Sequence, residues 1–435
     1  MSTPVITHMR MAVSSGLVVP IDVGIYCFAT NGVREATYSL VPHEERDTFH
    51  LAAGRKLWRG FSEEDLMKHQ SVVLGQMRLG VKSMTNKKER NATMALCLTL
   101  AKRAFEWSMF PAAAESLDFG LSLLGDRSWR DQYDLTLALH STAAEVGYTL
   151  GDFSKAEERV EAILSNARVF DDTFEAYSVK INILSATAKI QEATDVGLEV
   201  LKKIGEPMPS SPRSRYVKRE YIRSRRLMKS KSTEMLLRLP IMTDHRKAAT
   251  MQIINLLALP AIFGRPCLLP VLAMRAARIT VEHGLCNLSS VAFGLYGMTL
   301  AACGEAEEAT RYGELALHLL ERFGAKQWLS RVHVCVYGCI FSWTKDLRTC
   351  IGPLGRGFDV GIETGDVEVS TCKPSERYVR SNCVFLMLLP FFTSDFYRCL
   401  CLHKPLLLVC LPKRKLEKHV HVLRWNSSTS GQGGV

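Results

Sequence analysis

Three groups of residues in this sequence could do chemistry: a glycine-rich stretch ending in Lys-Ser, two clusters of cysteines, and a dense run of Lys and Arg. Residues 75–83 read Gly-Gln-Met-Arg-Leu-Gly-Val-Lys-Ser, which is one residue too long for the phosphate-binding pattern G-x-x-x-x-G-K-[ST]. The stretch also has helical periodicity, whereas a loop that cradles phosphate follows a strand. We therefore predict no nucleotide site, no cofactor and no catalytic residue in this chain.

The cysteine clusters suggest metal binding, but their spacing does not support it. Cys399, Cys401 and His403 lie close together near Cys383 and Cys410, yet they lack the paired C-x₂-C spacing of a zinc site. Cys335 and Cys339 lie one helical turn apart without a second ligand pair. We interpret these cysteines as packing residues or free thiols and predict no metal. The patterns H-E-x-x-H and G-x-S-x-G do not occur either.

The Lys and Arg run covers residues 213–231, where nine basic side chains accompany one acidic side chain, Glu220. Such a run is most simply a solvated helix face with flexible flanks, but it could also bind nucleic acid, an acidic lipid surface or an acidic protein segment. Tyr216 and Tyr221 interleave with the charges, as in some single-strand binders. If the run binds anything, we expect an acidic protein partner. The candidate binding residues are Arg213, Arg215, Lys218, Arg219, Arg223, Arg225 and Arg226.

Composition excludes a collagen, a generally disordered chain and a polytopic membrane protein. The chain has 435 residues, of which 47% are hydrophobic and 23% charged, which is typical of a soluble protein with a large core. The net charge of +11 is concentrated in residues 213–231 and 372–435, so a uniformly basic nucleic-acid groove is not indicated. The first sixteen residues lack the features of a secretory signal. We expect a reducing, cytoplasmic environment.

Hydrophobic periodicity predicts helices almost throughout residues 43–370. Four helical hairpins stand out: residues 92–107 with 112–124, 135–150 with 154–167, 176–188 with 191–204, and 289–302 with 306–323. In each, a small residue opens the second helix, and these residues are Ala113, Ala156, Ala193 and Ala309. Their separations of 43, 37 and 116 residues fit a period near 39, which is typical of a helical solenoid. Gly125 is placed to end its helix in the left-handed conformation.

Two segments break this pattern. Residues 206–240 contain three prolines near their start and one at Pro240, which stop helix propagation, so we expect an exposed connection or an exposed helix face. Residues 371–435 mix apolar clusters with Lys413-Arg414-Lys415 and lack helical periodicity. Neither apolar cluster reaches the ~20 residues that span a bilayer, although a membrane-associated tail is one alternative. We favour a poorly ordered, non-native extension, as from a misread gene structure.

Several motifs resemble, in order, a family of large multidomain signalling proteins. In that family a kinase-like domain and an AAA-type ATPase precede a long tetratricopeptide-like helical region, often followed by sensor and histidine-kinase domains. The first matches are Gly16-Leu17, Tyr26-Cys27-Phe28 and residues 33–42, which resemble the end of a winged-helix segment after the ATPase, and His50-Leu51 with Gly54-Arg55. Thr30-Asn31 replace the His-Asp that the family usually has.

The resemblance continues through the predicted hairpins to about residue 368. The later matches are Ala143-Ala144-Glu145 with Tyr148 and Gly151-Asp152, Leu239-Pro240 with Met242-Thr243-Asp244, Phe293 with Tyr296-Gly297, Gly313 with Ala316-Leu317, Ala325-Lys326, and Gly361 with Gly365-Asp366. The family's kinase, ATPase core and sensor domains have no counterpart in this chain. The resemblance thus implies the region that lies between the ATPase and the sensor modules.

These observations together predict an all-α protein built as a tetratricopeptide-like solenoid of helical hairpins. The expected parts are a winged-helix-like remnant at 1–42, repeats at 43–205, the basic connection at 206–240, further repeats at 241–370, and the tail at 371–435. The expected function is a non-catalytic scaffold whose partners are proteins or neighbouring signalling domains in nucleotide-regulated signal transduction. One alternative is a fragment of a signalling ATPase or kinase whose catalytic domains lie outside this chain. Another is a binder of nucleic acid or acidic partners through the basic run.

Overall fold

A computed structural model describes residues 3–22, 25–364 and 366, and the predicted tail at 371–435 lies outside them. The described residues are predominantly helical with little strand, which confirms the all-α expectation. They divide into two compact units, Met1–Ala143 and Ala144–Val435.

The first unit begins with a helix, a hairpin of strands and a second helix. These are α1 (Thr3–Ser14), β1 (Val18–Asp22), β2 (Ile25–Phe28) and α2 (Asn31–Ser39). The strands are antiparallel, with Val18 opposite Phe28. The Thr30 hydroxyl accepts a hydrogen bond from the Val33 amide at 3.2 Å, so Thr30 caps α2. The winged-helix interpretation of this segment stays a prediction.

The remainder of the first unit is helical. Its helices are α3 (Arg46–Gly60), α4 (Glu63–Lys68), α5 (Gln70–Leu79), α6 (Lys87–Glu106), α7 (Phe110–Ser122), α8 (Ser128–Asp131) and α9 (Tyr133–Thr149), which runs on into the second unit. His50 of α3 is buried between the Tyr38 hydroxyl at 2.9 Å and Gln76 Oε1 at 2.7 Å. The matched motif around His50 therefore packs α3 against α2 and α5.

The second unit carries the larger core, which extends from α11 to α21. Its helices are α10 (Phe153–Asn166), α11 (Phe174–Ala186), α12 (Ile190–Ile204), α13 (Ser214–Lys229), α14 (Thr233–Leu237), α15 (His245–Gly264), α16 (Leu269–His283), α17 (Ser289–Ala302), α18 (Ala306–Arg322), α19 (Leu329–His333), α20 (Phe341–Thr344) and α21 (Leu347–Thr364). A π-helix, Val334–Ile340, joins α19 to α20.

The Leu239-Pro240 motif closes part of this core through backbone hydrogen bonds. The Met242 amide donates to the Leu285 carbonyl at 2.8 Å, and the Leu285 amide donates to the Pro240 carbonyl at 2.7 Å. Gly284 adopts φ +106°, and a Cβ there would lie 2.5 Å from the Pro240 carbonyl oxygen. The bridge therefore requires glycine at this position.

The four predicted hairpins are present, and their turns share one geometry. Two positions after each first helix ends there is a residue with positive φ, and these residues are Ser108, Gly151, Ala188 and Gly304. The amide after that residue bonds back to a carbonyl five positions earlier, as from Lys189 to Leu184 at 2.8 Å, which is the Schellman pattern. Each positive-φ residue precedes the small alanine of its hairpin by five positions.

The small alanines lie where the two helices of a hairpin meet. Ala113, Ala156, Ala193 and Ala309 are all fully buried. A Cβ on Gly297 would lie 3.1 Å from the Ala309 carbonyl oxygen, and one on Gly147 would lie 3.3 Å from the Ala156 Cβ. Small side chains at these positions therefore permit the close approach of the helices.

The prediction for Gly125 is wrong. Helix α7 ends at Ser122 with Leu123 still in the right-handed region, and Gly125 does not have positive φ. The chain passes instead through a short turn into α8. The left-handed residue belongs to the preceding turn, at Ser108.

Candidate functional site

The basic run forms helix α13, which is amphipathic. Pro212 precedes the helix, and Arg213 enters it with extended backbone angles, as expected at a residue that begins a helix. The buried positions are Val217, Glu220, Ser224 and Met228, whose spacing of three to four residues places them on one face. That face packs against α16, and most of the Lys and Arg side chains lie on the opposite face.

The structure separates the seven candidate binding residues into three groups. Five of them are exposed and line one open cavity of about 770 Å³: Arg215, Lys218, Arg219, Arg223 and Arg226. Arg213 is exposed but does not line this cavity. Arg225 is partly buried and points to α18 and the turn before it.

The remaining lining residues come from both helices. Helix α13 contributes Ile222 and Leu227, the residue after it is Ser230, and α16 contributes Arg278 and Glu282. Ile222 is 42% exposed, so the cavity offers apolar surface among its cations. Arg278 was not predicted from the sequence because its contact with Glu220 joins segments 58 residues apart. Arg278 lies one helical turn before Glu282, and in a sequence this spacing indicates an ordinary surface ion pair as readily as a binding residue.

A buried ion pair lies beneath this surface. Arg278 Nη1 donates to Glu220 Oε2 at 2.8 Å, and their side chains are 5% and 4% exposed. Burial lowers the pKa of Arg278, the attraction of Glu220 opposes this, and the neighbouring Arg275 and Arg223 lower it further. Arg278 Nε has no hydrogen-bond partner and lies 3.8 Å from Glu282 Oε1.

A second cluster of charges fixes α16 to the segment before α13. Glu206 accepts from Arg275 Nη1 and from Lys247 Nζ, each at 2.6 Å. Burial alone would raise the pKa of Glu206, but the two hydrogen bonds hold it below its ordinary value. This carboxylate is therefore ionised at neutral pH.

Arg225 belongs to a third cluster that fastens α13 to α18. It pairs with Glu305 and, at 3.3 Å, with Glu308. The Tyr221 hydroxyl also donates to Glu305, and burial followed by this bond raises the pKa of Tyr221. Arg225 thus uses its charge inside the protein, whereas Arg223 and Arg226 present theirs outside.

The other candidate sites have different surroundings. Gly75 lies inside α5, and Lys82 follows in a short 3₁₀ helix, so the strand–loop–helix geometry of a phosphate loop is not formed there. Cys335 and Cys339 are buried in the π-helix. Among the described residues, no group of three or more His, Cys, Asp and Glu side chains is placed to hold a metal ion.

Within the described residues, one helix is long and apolar enough to cross a membrane. This is α15, and 56% of its most apolar stretch is buried inside the protein. Core helices of soluble proteins share these properties.

Comparison with known proteins gives a distant relation to signalling. No protein-family model matches the chain. The chain is 18% identical over 385 residues to hybrid signal transduction histidine kinase G of Dictyostelium discoideum. The match covers 78% of this chain but 11% of that protein. The chain is therefore distantly similar to a small part of a signalling histidine kinase.

Proposed function

We propose that this chain is a non-catalytic, tetratricopeptide-like scaffold that binds acidic protein segments in cytoplasmic signal transduction. The observation that carries this proposal is the outer face of α13, where five exposed cations surround one cavity with apolar surface. In a scaffold of this kind the work is binding, so a large charged face on a well-packed helix is the expected functional element.

The repeated hairpin supports the tetratricopeptide-like part of the proposal. Four turns share a positive-φ residue five positions before a buried alanine. Their separations of 43, 37 and 116 residues fit units of about 39, within the range of helical repeats. Each hairpin is too small to hold a core by itself, so stacking of hairpins supplies it.

The signalling part of the proposal rests on the distant similarity to a histidine kinase and on the motifs shared with multidomain signalling proteins. In those proteins the corresponding region lies between an ATPase and sensor modules. We propose that this chain likewise binds neighbouring signalling domains or separate protein partners.

The tyrosines of α13 favour a protein over a nucleic acid as the binding partner. A base-stacking platform needs an open aromatic face, but the Tyr221 hydroxyl is bonded inward to Glu305. Tyr216 accepts a bond from Arg275 at 3.4 Å and has the Arg219 guanidinium 5.1 Å from its ring centre. These contacts favour a structural role for both tyrosines over base stacking.

Binding of a labelled acidic peptide library to the full chain tests the proposal. The library contains random mixtures of Glu, Asp and Leu, and fluorescence anisotropy measures its binding at increasing salt. We expect binding that weakens steeply with salt, because the contacts are between exposed charges. Replacing Arg215, Arg219 and Arg223 together by Glu should weaken binding at least tenfold.

Two controls accompany this measurement. Lys229→Glu changes one exposed charge of the same helix outside the cavity and should have a small effect. ATP hydrolysis by the purified chain is measured in parallel, because turnover would favour the catalytic alternative. Equal binding by the wild type and the triple variant would remove the basic face from the proposed function.

A further inference from the structure

Arg278 is the observation that goes beyond a general acidic partner. It is a buried arginine that lines the cavity, although its neighbours on the rim are exposed. One of its nitrogens bonds to Glu220, whereas Nε has no hydrogen-bond partner. An unsatisfied buried donor is costly, and Nε is itself shielded from solvent. Arg278 would therefore attract an anionic group to this side of the cavity through its charge.

The rim adds further donors at helical spacing. Arg219, Arg223 and Arg226 follow one another on successive turns of α13, about 5–6 Å apart along the helix surface. Each guanidinium can donate two parallel bonds to an oxyanion. A carboxylate has two oxygens and one charge, whereas a phosphate monoester presents three strong acceptor oxygens and nearly two charges. Three guanidinium groups around one cavity match a phosphate monoester better than a carboxylate.

The apolar part of the cavity indicates what carries the phosphate. Ile222 and Leu227 lie between the cations, so the ligand should have an apolar side chain near its charged group. The cavity of about 770 Å³ is open and much larger than a phosphate group. A phosphorylated side chain within a polypeptide meets both conditions.

Glu282 opposes a dianion and must be included in the argument. It lines the same cavity, is 40% exposed, and lies 3.8 Å from Arg278 Nε. Because it is on the exposed side, water screens its repulsion. When the cavity is empty, Glu282 is the acidic group beside Arg278 Nε. A bound phosphate would take its place as the negative charge near Arg278.

We propose that the cavity between α13 and α16 recognises a phosphorylated serine or threonine in an acidic segment of a partner protein, with the Arg219, Arg223 and Arg226 side chains as the phosphate ligands and the buried charge of Arg278 beneath them. This assignment rests on the proposed function, because it specifies the chemistry of the partner segment for the same face.

Three peptide libraries that differ at one position test the assignment on the full chain. Their central residue is phosphoserine, Ser or Glu, with Asp, Glu and Leu randomised on both sides. We expect the phosphoserine library to bind at least roughly tenfold more tightly than either other library, since a dianion forms additional charge-assisted bonds. Arg223→Ala combined with Arg226→Ala should abolish this preference.

Matched variants keep the test specific. Lys229→Ala removes an exposed charge outside the cavity and should leave the preference unchanged. Glu282→Gln removes the acidic lining residue and should tighten phosphoserine binding severalfold. Both variants retain Glu220 and Arg278, the two members of the buried ion pair. Circular dichroism checks that each variant is folded.

The outcomes separate this inference from the proposed function. Equal binding of all three libraries would overturn the phosphate site and leave the acidic-partner function standing. No binding by any library would overturn both. A phosphoserine preference that persists in the double Arg variant would also overturn the assignment, as would binding to vesicles of phosphatidylcholine with phosphatidylinositol bisphosphate that exceeds binding to the phosphoserine library.

Discussion

At the scale of single residues, Glu220 explains why so basic a helix can pack against the core. It faces inward from α13 and meets Arg278 at 2.8 Å, with both side chains almost fully buried. Removing one partner of a buried ion pair leaves the other charge without compensation, and this costs more than the pair itself contributes. Glu220 is therefore required for the position of α13.

Glu220→Gln should lower the free energy of unfolding of the second unit by roughly 3 kcal/mol, because Arg278 loses its buried counter-charge. The urea midpoint followed by circular dichroism measures this. Glu282→Gln is the matched control, since Glu282 lies near the same arginine but is 40% exposed, and we expect less than about 1 kcal/mol there. Equal effects of the two changes would contradict the assignment.

Residue roles within α13 were only partly predictable from the sequence. The run of Lys and Arg identified the helix face, and five of its seven candidates surround the cavity. Arg225 lies two positions from Arg223 and has the same chemistry, yet its partners Glu305 and Glu308 come from eighty residues further along the chain. A contact between distant segments leaves no local signal, and the same applies to Arg278.

At the scale of elements, the hairpin turn is the recurring unit. Each turn reverses the chain through one residue in the left-handed region, which is glycine in two hairpins and Ser108 or Ala188 in the others. Only glycine enters this region without steric cost from Cβ. Two of the four turns therefore hold a strained residue that the surrounding helices keep in place.

Ala188→Gly and Ser108→Gly should each stabilise the unit that contains them, by about 1 kcal/mol at most, because the strain of a Cβ at positive φ is removed. The reciprocal change, Gly304→Ala, should destabilise by a similar amount. Thermal unfolding of the three variants measures these effects. Destabilisation by Ala188→Gly would mean that backbone entropy outweighs strain at this turn.

Helix periodicity predicted these elements well, and their ends less well. Helix α17 has the predicted bounds, whereas α6 begins at Lys87 rather than at residue 92. The early part of α6 is polar, so the hydrophobic pattern gave no signal, and the Asn86 side chain that caps it at 2.8 Å is visible only in the structure. Gly125 misled the prediction because a glycine after a helix is also common in ordinary loops.

At the scale of the whole molecule, both units keep thiols in their interiors. Cys97 is buried in the first unit, and Cys335 and Cys339 are buried in the second. Burial raises the pKa of Cys97 and of Cys335 to about 12, and the thiolate is the reactive form. Cys27, in contrast, is exposed on β2.

Alkylation by iodoacetamide should therefore label Cys27 in the native protein, while Cys97 and Cys335 react orders of magnitude more slowly. Peptide mapping by mass spectrometry measures the three sites separately. In increasing urea, Cys97 should report unfolding of the first unit and Cys335 unfolding of the second. Native labelling of Cys335 at the rate of Cys27 would contradict the buried position of the π-helix.

The division of the α13 cations between two directions has a consequence for natural variation in this gene. A substitution at Arg225 would lower the amount of folded protein in the cell, because its charge holds helices together. We expect a substitution at Arg223 to leave abundance unchanged and to weaken only the proposed recognition of a partner. Inherited substitutions at these two neighbouring arginines look equivalent in the sequence, but they would impair the protein in different ways. Measuring the abundance of the folded protein would distinguish them.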